Sequence, residues 1–291
     1  MNKTIRRVLM ALCVPIAFAA LAPAQDTTPK RQILQIDREF VKPGKAGALH
    51  DKSESAFVAA MTRAKWPSHY IAYQSMTGKN RVLYIEDFDS FAAWEKDSKA
   101  MAKNPALTAE LDHAGVVDGE LLDSSDQLVL MSDPDLSLRS RADISKARYL
   151  EIESFKIKPG QEHSFEDLAK YVISIHQQAG TTAHWGMYEL VFGGEGPVYA
   201  VFTARDSLAE IDAGFAEGKK FEQAAGEEGM KKIREMAASC IEKSDSELFS
   251  VNPKQSYPPD EFVKADPDFW KPKPAAAPAA MTAAPAKKTT P

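Results

Sequence analysis

Apolar and polar residues alternate along two separate stretches of the chain, Ile33–Val41 and Tyr149–Ile157. A period of two is typical of a β-strand with one buried face. Both stretches end in Lys-Pro-Gly, in which proline restricts φ and glycine permits a turn. Apolar residues at helical spacing follow each of them, which predicts a helix that packs by one face.

The rest of each half repeats one order of predicted elements. Two short strand patterns flank a turn, Thr77–Asn80 in the first half and Gly193–Gly196 in the second. A second helical stretch follows, with Ser90 or Ser207 as a candidate N-cap, and a last strand closes each half. The predicted order is β-α-β-β-α-β, twice.

The two halves also match in sequence. The stretches that begin at Ile33 and Tyr149 match through their Lys-Pro-Gly turns, and later blocks match in the same order at a nearly constant offset. The later pairs are His69-Tyr70 with His184-Trp185, Asp89-Ser90 with Asp206-Ser207, and Ser125–Leu128 with Asp245–Leu248. Matched blocks in one order predict a tandem duplication.

A β-α-β-β-α-β unit of this kind is ferredoxin-like: a four-stranded sheet with both helices on one face. Its bare face must be buried, and the second copy on the same chain can cover it. We therefore predict an α+β fold in which two ferredoxin-like units form an intrachain pseudo-dimeric α+β barrel. The units span residues 32–132 and 148–252, with a surface linker over 133–147.

This duplicated pattern resembles the dimeric α+β barrel superfamily, whose members include antibiotic-biosynthesis-type monooxygenases and haem-binding proteins. The segment Phe40–Gly44, followed by a helix, is similar to the opening of many such units. The overall sequence also resembles a group of exported bacterial proteins. The resemblance implies an oxygenase-like or haem-handling activity, with haem as the cofactor, as one alternative.

Residues 1–24 are predicted to be a secretory signal peptide. Lys3, Arg6 and Arg7 precede the charge-free apolar run Val8–Leu21, and small residues lead to a cleavage site near Ala24. The protein is then periplasmic or secreted, by the general secretory or the twin-arginine route. The apolar run is too short to cross a membrane, and no later segment reaches the ~20 residues required.

The other end of the chain changes composition twice. Residues 253–271 are rich in aromatic residues and are predicted to wrap back onto the domain. Residues 272–291 are mostly alanine, proline and lysine, which predicts a disordered tail. The net charge of −5 gives no reason to expect nucleic acid as a partner. Cys240, left alone after signal removal, is expected to pack rather than react.

Two histidine–tyrosine pairs recur at the same place in both halves: His69 with Tyr73, and His184 with Tyr188. Residues i and i+4 of a strand share a face, so each pair points either into the space between the sheets or into the helix layer. Imidazole can move protons, bind haem iron or donate to a carbonyl. Trp66 and Trp185 border the histidines and are candidate walls of a ligand pocket.

Carboxylates form the second candidate set. On the first strand of each half, Asp37 shares a face with Glu39, and Glu151 shares one with Glu153, opposite an apolar face. If the apolar face packs on the helices, these acids line the space between the sheets, where desolvation raises the pKa of a carboxyl. Exposure to solvent, or pairing with a nearby cation such as Arg38, is the alternative.

No metal site is predicted. His50 and Glu54 lie one helical turn apart, but spacing places no third ligand beside them. The leading functional hypothesis is binding of a small, apolar or planar molecule between the sheets. The alternatives are an oxygenase-like or haem-handling enzyme, with His184 or His69 as proton carrier or iron ligand and Asp37 or Glu153 as acid–base partner, and an envelope-associated structural protein. Monomer and homodimer both stay open.

Overall fold

The computed structural model describes residues 31–141 and 143–271. The predicted signal peptide, with its cleavage site near Ala24, and the predicted Pro/Ala tail lie outside the described residues. Among the described residues, no helix has both the length and the apolar composition needed to cross a membrane.

The first half of the described chain contains four strands and three helices. In chain order they are β1 (Ile33–Val41), α1 (Ala48–Ala64), β2 (Tyr70–Ser75), β3 (Arg81–Phe88), α2 (Phe91–Ala102), α3 (Pro105–Gly119) and β4 (Leu122–Leu138). The stretch predicted as one second helix is therefore two helices. They are separated at Asn104, whose side chain accepts from the backbone N–H of Leu107 and caps α3.

The second half has the same order of strands, with one long helix in place of two. Its elements are β5 (Tyr149–Ile157), α4 (Glu162–Ala179), β6 (Trp185–Phe192), β7 (Val198–Arg205), α5 (Ala209–Cys240) and β8 (Ile241–Val251). The short helices α6 (Asp260–Ala265) and α7 (Pro267–Trp270) follow. Both Lys-Pro-Gly turns place their glycine, Gly44 or Gly160, at positive φ, which glycine adopts without strain.

The eight strands form one closed antiparallel barrel in the order β1-β3-β2-β8-β5-β7-β6-β4. Each half contributes four neighbouring strands, and the halves join by hydrogen bonds at two seams, β2–β8 and β4–β6. The predicted α+β barrel class is confirmed. β4 continues to Leu138, which pairs with Trp185, so the first part of the segment predicted as a linker is strand.

The two faces of the first strands lie opposite to the way the carboxylate hypothesis required. Leu34, Ile36, Leu150 and Ile152 point into the barrel and form one apolar cluster with residues such as Phe249. The acids of β1 and β5 therefore face the helices, where α1 packs on α3 and α4 packs on α5. Asp37 and Glu153 were expected between the sheets only if the apolar face of their strands packed on the helices. That face instead lies at the centre of the barrel, because closing the barrel buries it there.

The C-terminal extension, residues 253–271, covers one end of the barrel. Trp270 is buried in the central apolar cluster, and its indole N–H donates to the carbonyl of Ser145 at 2.9 Å. Arg148 pairs with Asp266, and its guanidinium lies 3.7 Å from the centre of the Phe269 ring. The extension is therefore held by apolar packing, a backbone hydrogen bond and an ion pair.

Candidate functional site

A cavity of about 540 Å³ lies inside the barrel between the two halves, and we call it the barrel cavity. Its walls are mainly apolar side chains from both sheets, and Pro259 and Phe262 of the C-terminal extension also line it. The apolar lining follows from the alternation of the strands, because inward positions of β1, β2, β3, β5, β6 and β7 meet here.

Both predicted histidine–tyrosine pairs line the barrel cavity, together with Trp185. The i, i+4 spacing of the sequence thus placed each histidine on the same side of the sheet as its tyrosine. Trp66 lies elsewhere. It is buried with Ala60 and Leu107 where α1 and α3 meet, so it is part of the helix-side core and not a wall of this cavity.

The two histidines have different surroundings. Nε2 of His184 lies 3.0 Å from the carbonyl oxygen of Ala204, so this nitrogen carries the proton and donates to the backbone. The ring of His69 lies 4.6 Å from the ring of Tyr257, and its Nδ1 is buried with no hydrogen-bond partner among the described residues. His69 therefore keeps a nitrogen for a ligand, whereas His184 is held by the backbone.

Asp87 and two tyrosines also contribute polar groups to the barrel cavity, as do Gln32, Ser140, Arg141 and Glu261. Asp87 lies at its exposed side, where desolvation raises the pKa of the carboxyl although the neighbouring His69 opposes that rise. Burial also raises the pKa of both Tyr73 and Tyr188, so the two phenols stay protonated as donors. Asp87 was missed in the sequence because the second half has no acid at the matching place, Ala204.

A second cavity, of about 680 Å³, lies between the second-half sheet and helices α4 and α5. Glu151 and Glu153 line this α4–α5 cavity. Glu151 accepts from the guanidinium of Arg205 at 2.6 Å, whereas burial raises the pKa of Glu153. The predicted pair is therefore split into a salt-bridged carboxylate and a partly desolvated one.

A third cavity, of about 730 Å³, lies between the first-half sheet and helices α1 and α3, and we call it the α1–α3 cavity. Asp37 lines it, and burial raises the pKa of that carboxyl against hydrogen bonds from Gln35 and Gln127. Burial and nearby carboxylates also raise the pKa of Glu86 to about 8. The helix-facing side of the first half is thus rich in desolvated acids.

Four further side chains meet at the edge of this cavity: Glu39, His50, Glu54 and Asp118, here named the acid–histidine cluster. They come from β1, α1 and α3, so only the His50–Glu54 pair was visible in the spacing of the sequence. One feature of the sequence could have indicated Glu39. It matches Phe155 of the second half, so the first half has a charged residue where the second has an aromatic one that packs on the helix side.

The two histidines named for haem differ in the ring nitrogen that each could offer to iron. An axial ligand needs a ring nitrogen whose lone pair can reach the iron. Nε2 of His184 donates to the Ala204 carbonyl, so the lone pair of that ring is on Nδ1, 3.5 Å from the Thr182 carbonyl oxygen, and Nδ1 of His69 is buried beside Tyr257 without a hydrogen-bond partner among the described residues. Asp37 and Glu153 lie in separate helix-side cavities, so neither can act as acid–base partner to a group bound in the barrel cavity.

Comparison with known proteins gives a likeness of fold. No protein-family model matches the chain, and no curated protein matches it. An anthrone oxidase-like protein is 14% identical with a TM-score of 0.49, covering 77% of this chain and 92% of its own. A chlorite dismutase from Candidatus Nitrospira defluvii is 10% identical with a TM-score of 0.49, covering 80% and 94%.

A monooxygenase candidate from Fusobacterium nucleatum is 11% identical with a TM-score of 0.48, covering 76% of this chain and 92% of its own. The barrel arrangement rests on the closed strand order of this chain, and the solved structures above are proteins that the chain is similar to. At these identities the likeness carries no argument about activity, so the function is argued from the cavities themselves.

Proposed function

We propose that the protein binds a small, largely apolar molecule in the barrel cavity. The observation that supports this most is the cavity itself: about 540 Å³, lined by apolar side chains of both halves and by several polar groups. Ligand pockets in proteins are typically of about 300–1,000 Å³ and combine apolar walls with a few placed polar groups.

The polar groups of the barrel cavity define the ligand that fits. Nδ1 of His69 is buried and unpaired, so a ligand group that hydrogen-bonds to it removes a desolvation cost. The phenols of Tyr73 and Tyr188 add two donors. The rings of Tyr188 and Phe202 lie 4.9 Å apart and offer an aromatic wall. A planar molecule with one or two polar substituents matches this lining.

An oxygenase-like reaction of the bound molecule is a second candidate. His69 and Asp87 lie close enough for the imidazole to influence the pKa of the carboxyl, and both line the cavity. Nδ1 of His69 can accept a proton from a bound ligand, the first step of general base catalysis. The acid–base partners of such a reaction are His69 and Asp87, and its test is oxygen consumption in the presence of the co-purified ligand.

The origin and location of the protein belong to the same proposal. Tandem duplication of one unit is supported by the register of the first and third strands of each half: Ile36 pairs with Ile85, and Ile152 pairs with Phe202. The predicted signal peptide supports a role in the periplasm or outside the cell.

An envelope-associated structural role, with the Pro/Ala tail as a tether, is tested by deleting residues 272–291 and fractionating the cell envelope.

Ligand binding is tested by native mass spectrometry of the full chain, purified from its own cells, and by titration with the planar probe 1-anilinonaphthalene-8-sulfonate. Ile85→Trp fills the barrel cavity from β3, and Val116→Trp adds the same side chain at an exposed position of α3. We expect Ile85→Trp to lose the co-purified mass and the probe, and Val116→Trp to keep both. Folded Ile85→Trp that binds as the wild type does would contradict the proposal.

A further inference from the structure

The acid–histidine cluster brings four possible metal ligands close together, at the separations expected between ligands of one ion. Nε2 of His50 lies 3.1 Å from Oε2 of Glu39, 3.5 Å from Oδ1 of Asp118 and 3.9 Å from Oε1 of Glu54. All four donor atoms lie within 4.8 Å of one another. Two ligands of a tetrahedral ion with bonds of about 2.1 Å lie about 3.4 Å apart. The spacing of the donors therefore matches a single central ion.

Two of the donor atoms are buried and unpaired. Only 1% of His50, 3% of Glu54 and 2% of Asp118 is exposed. Oε1 of Glu54 and Oδ1 of Asp118 accept no hydrogen bond, although both face Nε2 of His50. A buried carboxylate oxygen without a partner is costly. A cation among these side chains satisfies both oxygens at once.

The charge around the cluster is also unbalanced. Among the described residues, the ion pairs of the three carboxylates are those with His50, and no lysine or arginine pairs with them. The other polar neighbours are neutral: the Tyr84 hydroxyl lies 3.4 Å from Gln255, and the Gln255 amide lies 3.3 Å from His50. A divalent cation supplies the missing positive charge.

The second half of the barrel shows that the fold does not need these charges. Phe155 takes the place of Glu39 and packs on Phe165 of α4, with the ring centres 5.5 Å apart. Val201 takes the place of Tyr84, since each pairs with the matching residue of its first strand. The second half thus has apolar residues at these two strand positions, so the polar cluster is a feature of the first half and not of the architecture.

We propose that Glu39, His50, Glu54 and Asp118 bind one divalent transition-metal ion, Mn²⁺, Fe²⁺ or Zn²⁺. One imidazole with three carboxylates suits these ions, whereas Ca²⁺ takes six to eight oxygens and Cu⁺ prefers sulfur.

The surroundings of the cluster support a ligand set that can exchange. Binding of the ion at Nε2 of His50 needs the proton of that ring on Nδ1, 3.3 Å from Gln255. Turning the Gln255 amide to accept this proton gives up the bond that its nitrogen donates to Oδ1 of Asp51 at 3.1 Å. The α1–α3 cavity reaches Glu39, Glu54 and Asp118 and gives the ion a path to solvent. An ion held by these side chains can therefore enter from solvent, and exchange with it, through that cavity.

The test uses the full chain, dialysed against EDTA and titrated with Co²⁺, whose visible absorbance reports its ligands, followed by displacement with Zn²⁺. We expect saturation at one equivalent. Glu54→Gln keeps the shape of the side chain and is expected to weaken binding by at least about 100-fold, since loss even of an outer contact costs about 10–100-fold. Glu86→Gln removes a carboxylate that lines the same cavity outside the cluster and is expected to bind as the wild type does.

Thermal unfolding supplies a readout that is independent of absorbance. Zn²⁺ binds the folded state, so it is expected to raise the Tm of the wild type and of Glu86→Gln but not that of Glu54→Gln. Circular dichroism establishes that each variant is folded. Absence of saturable Co²⁺ and Zn²⁺ binding by the folded wild type would overturn the proposal, and so would equal affinities of the wild type and Glu54→Gln.

Discussion

Glu39 and Phe155 occupy the same position in the two halves of the barrel and give it opposite chemistry. Each lies near the end of the first strand of its half, and each pairs with the matching residue of the third strand, Val82 or Tyr199. Glu39 contacts buried His50, whereas Phe155 packs on Phe165. At this position one backbone therefore supports a polar contact with the helix in the first half and an apolar contact in the second.

Replacing Glu54 by glutamine is expected to reduce the loss of stability with rising pH in the metal-free protein. Burial, followed by repulsion from Glu39 and Asp118, raises the pKa of Glu54 from 4.5 to about 10. Between these values the folded chain keeps a proton that the unfolded chain releases. The free energy of unfolding therefore falls as the pH rises, by up to about 1.4 kcal/mol per pH unit, and glutamine does not contribute to that fall.

Urea denaturation in EDTA, from about pH 5 to about pH 9, measures this slope. Glu95→Gln, which changes an exposed carboxylate on α2, is the matched control and is expected to keep the wild-type slope. Parallel stability curves for the wild type and Glu54→Gln would show that Glu54 does not titrate differently in the folded and unfolded chain.

The sequence was sufficient for the order of the strands and for deciding which residues of a strand share a face. The alternation of Ile33–Val41 and the spacing of His69 and Tyr73 depend only on neighbours along one strand, so a period of two was enough to predict them. The acid–histidine cluster could not be predicted in the same way. Asp118 reaches His50 only because α3 packs on α1, and that packing is a tertiary contact between distant segments.

The sequence also could not show which face of each strand points into the barrel, for a physical reason. An open sheet buries its apolar face against helices, whereas a closed barrel buries that face inside itself. Both arrangements contain the same alternation, so Leu34 and Asp37 were correctly placed on opposite faces but their surroundings were exchanged.

The two matched histidines are expected to respond differently to the same substitution. His184→Phe removes the hydrogen bond to the Ala204 carbonyl and is expected to lower the free energy of unfolding by about 1–2 kcal/mol, since the carbonyl loses its partner. His69→Phe keeps an aromatic ring against Tyr257 and is expected to change stability by less than about 0.5 kcal/mol.

Denaturant unfolding and probe titration together separate these roles. His69→Phe is expected to weaken ligand binding in the barrel cavity, because Nδ1 is lost, and His184→Phe is expected to bind nearly as well as the wild type. Neither variant is expected to change the absorbance of added haemin. A Soret shift in the wild type that disappears in His184→Phe would instead identify this residue as an iron ligand.

Trp270→Ala is expected to detach the C-terminal extension and to destabilise the barrel. Trp270 is 4% exposed and donates to the Ser145 carbonyl, and loss of a buried tryptophan typically costs about 3–5 kcal/mol. Trp94→Ala, on α2, removes the same side chain from a partly exposed position and is expected to cost less. Chemical denaturation measures both, and faster proteolysis after residue 252 in Trp270→Ala alone would identify the extension as the part released.

Gly193→Ala is expected to weaken the β4–β6 seam that closes the barrel. Gly193 has a φ of 92°, and a Cβ there lies 2.0 Å from the carbonyl oxygen of Gln127 on β4. Gly44 has a similar φ of 78° with no atom within 4 Å of its Cβ, so Gly44→Ala adds only left-handed strain, about 1–2 kcal/mol. Thermal unfolding should show the larger loss for Gly193→Ala, and hydrogen exchange should show faster opening at Val129, which pairs with Phe192. Equal losses in the two variants would mean that the chains do not approach this closely at the seam.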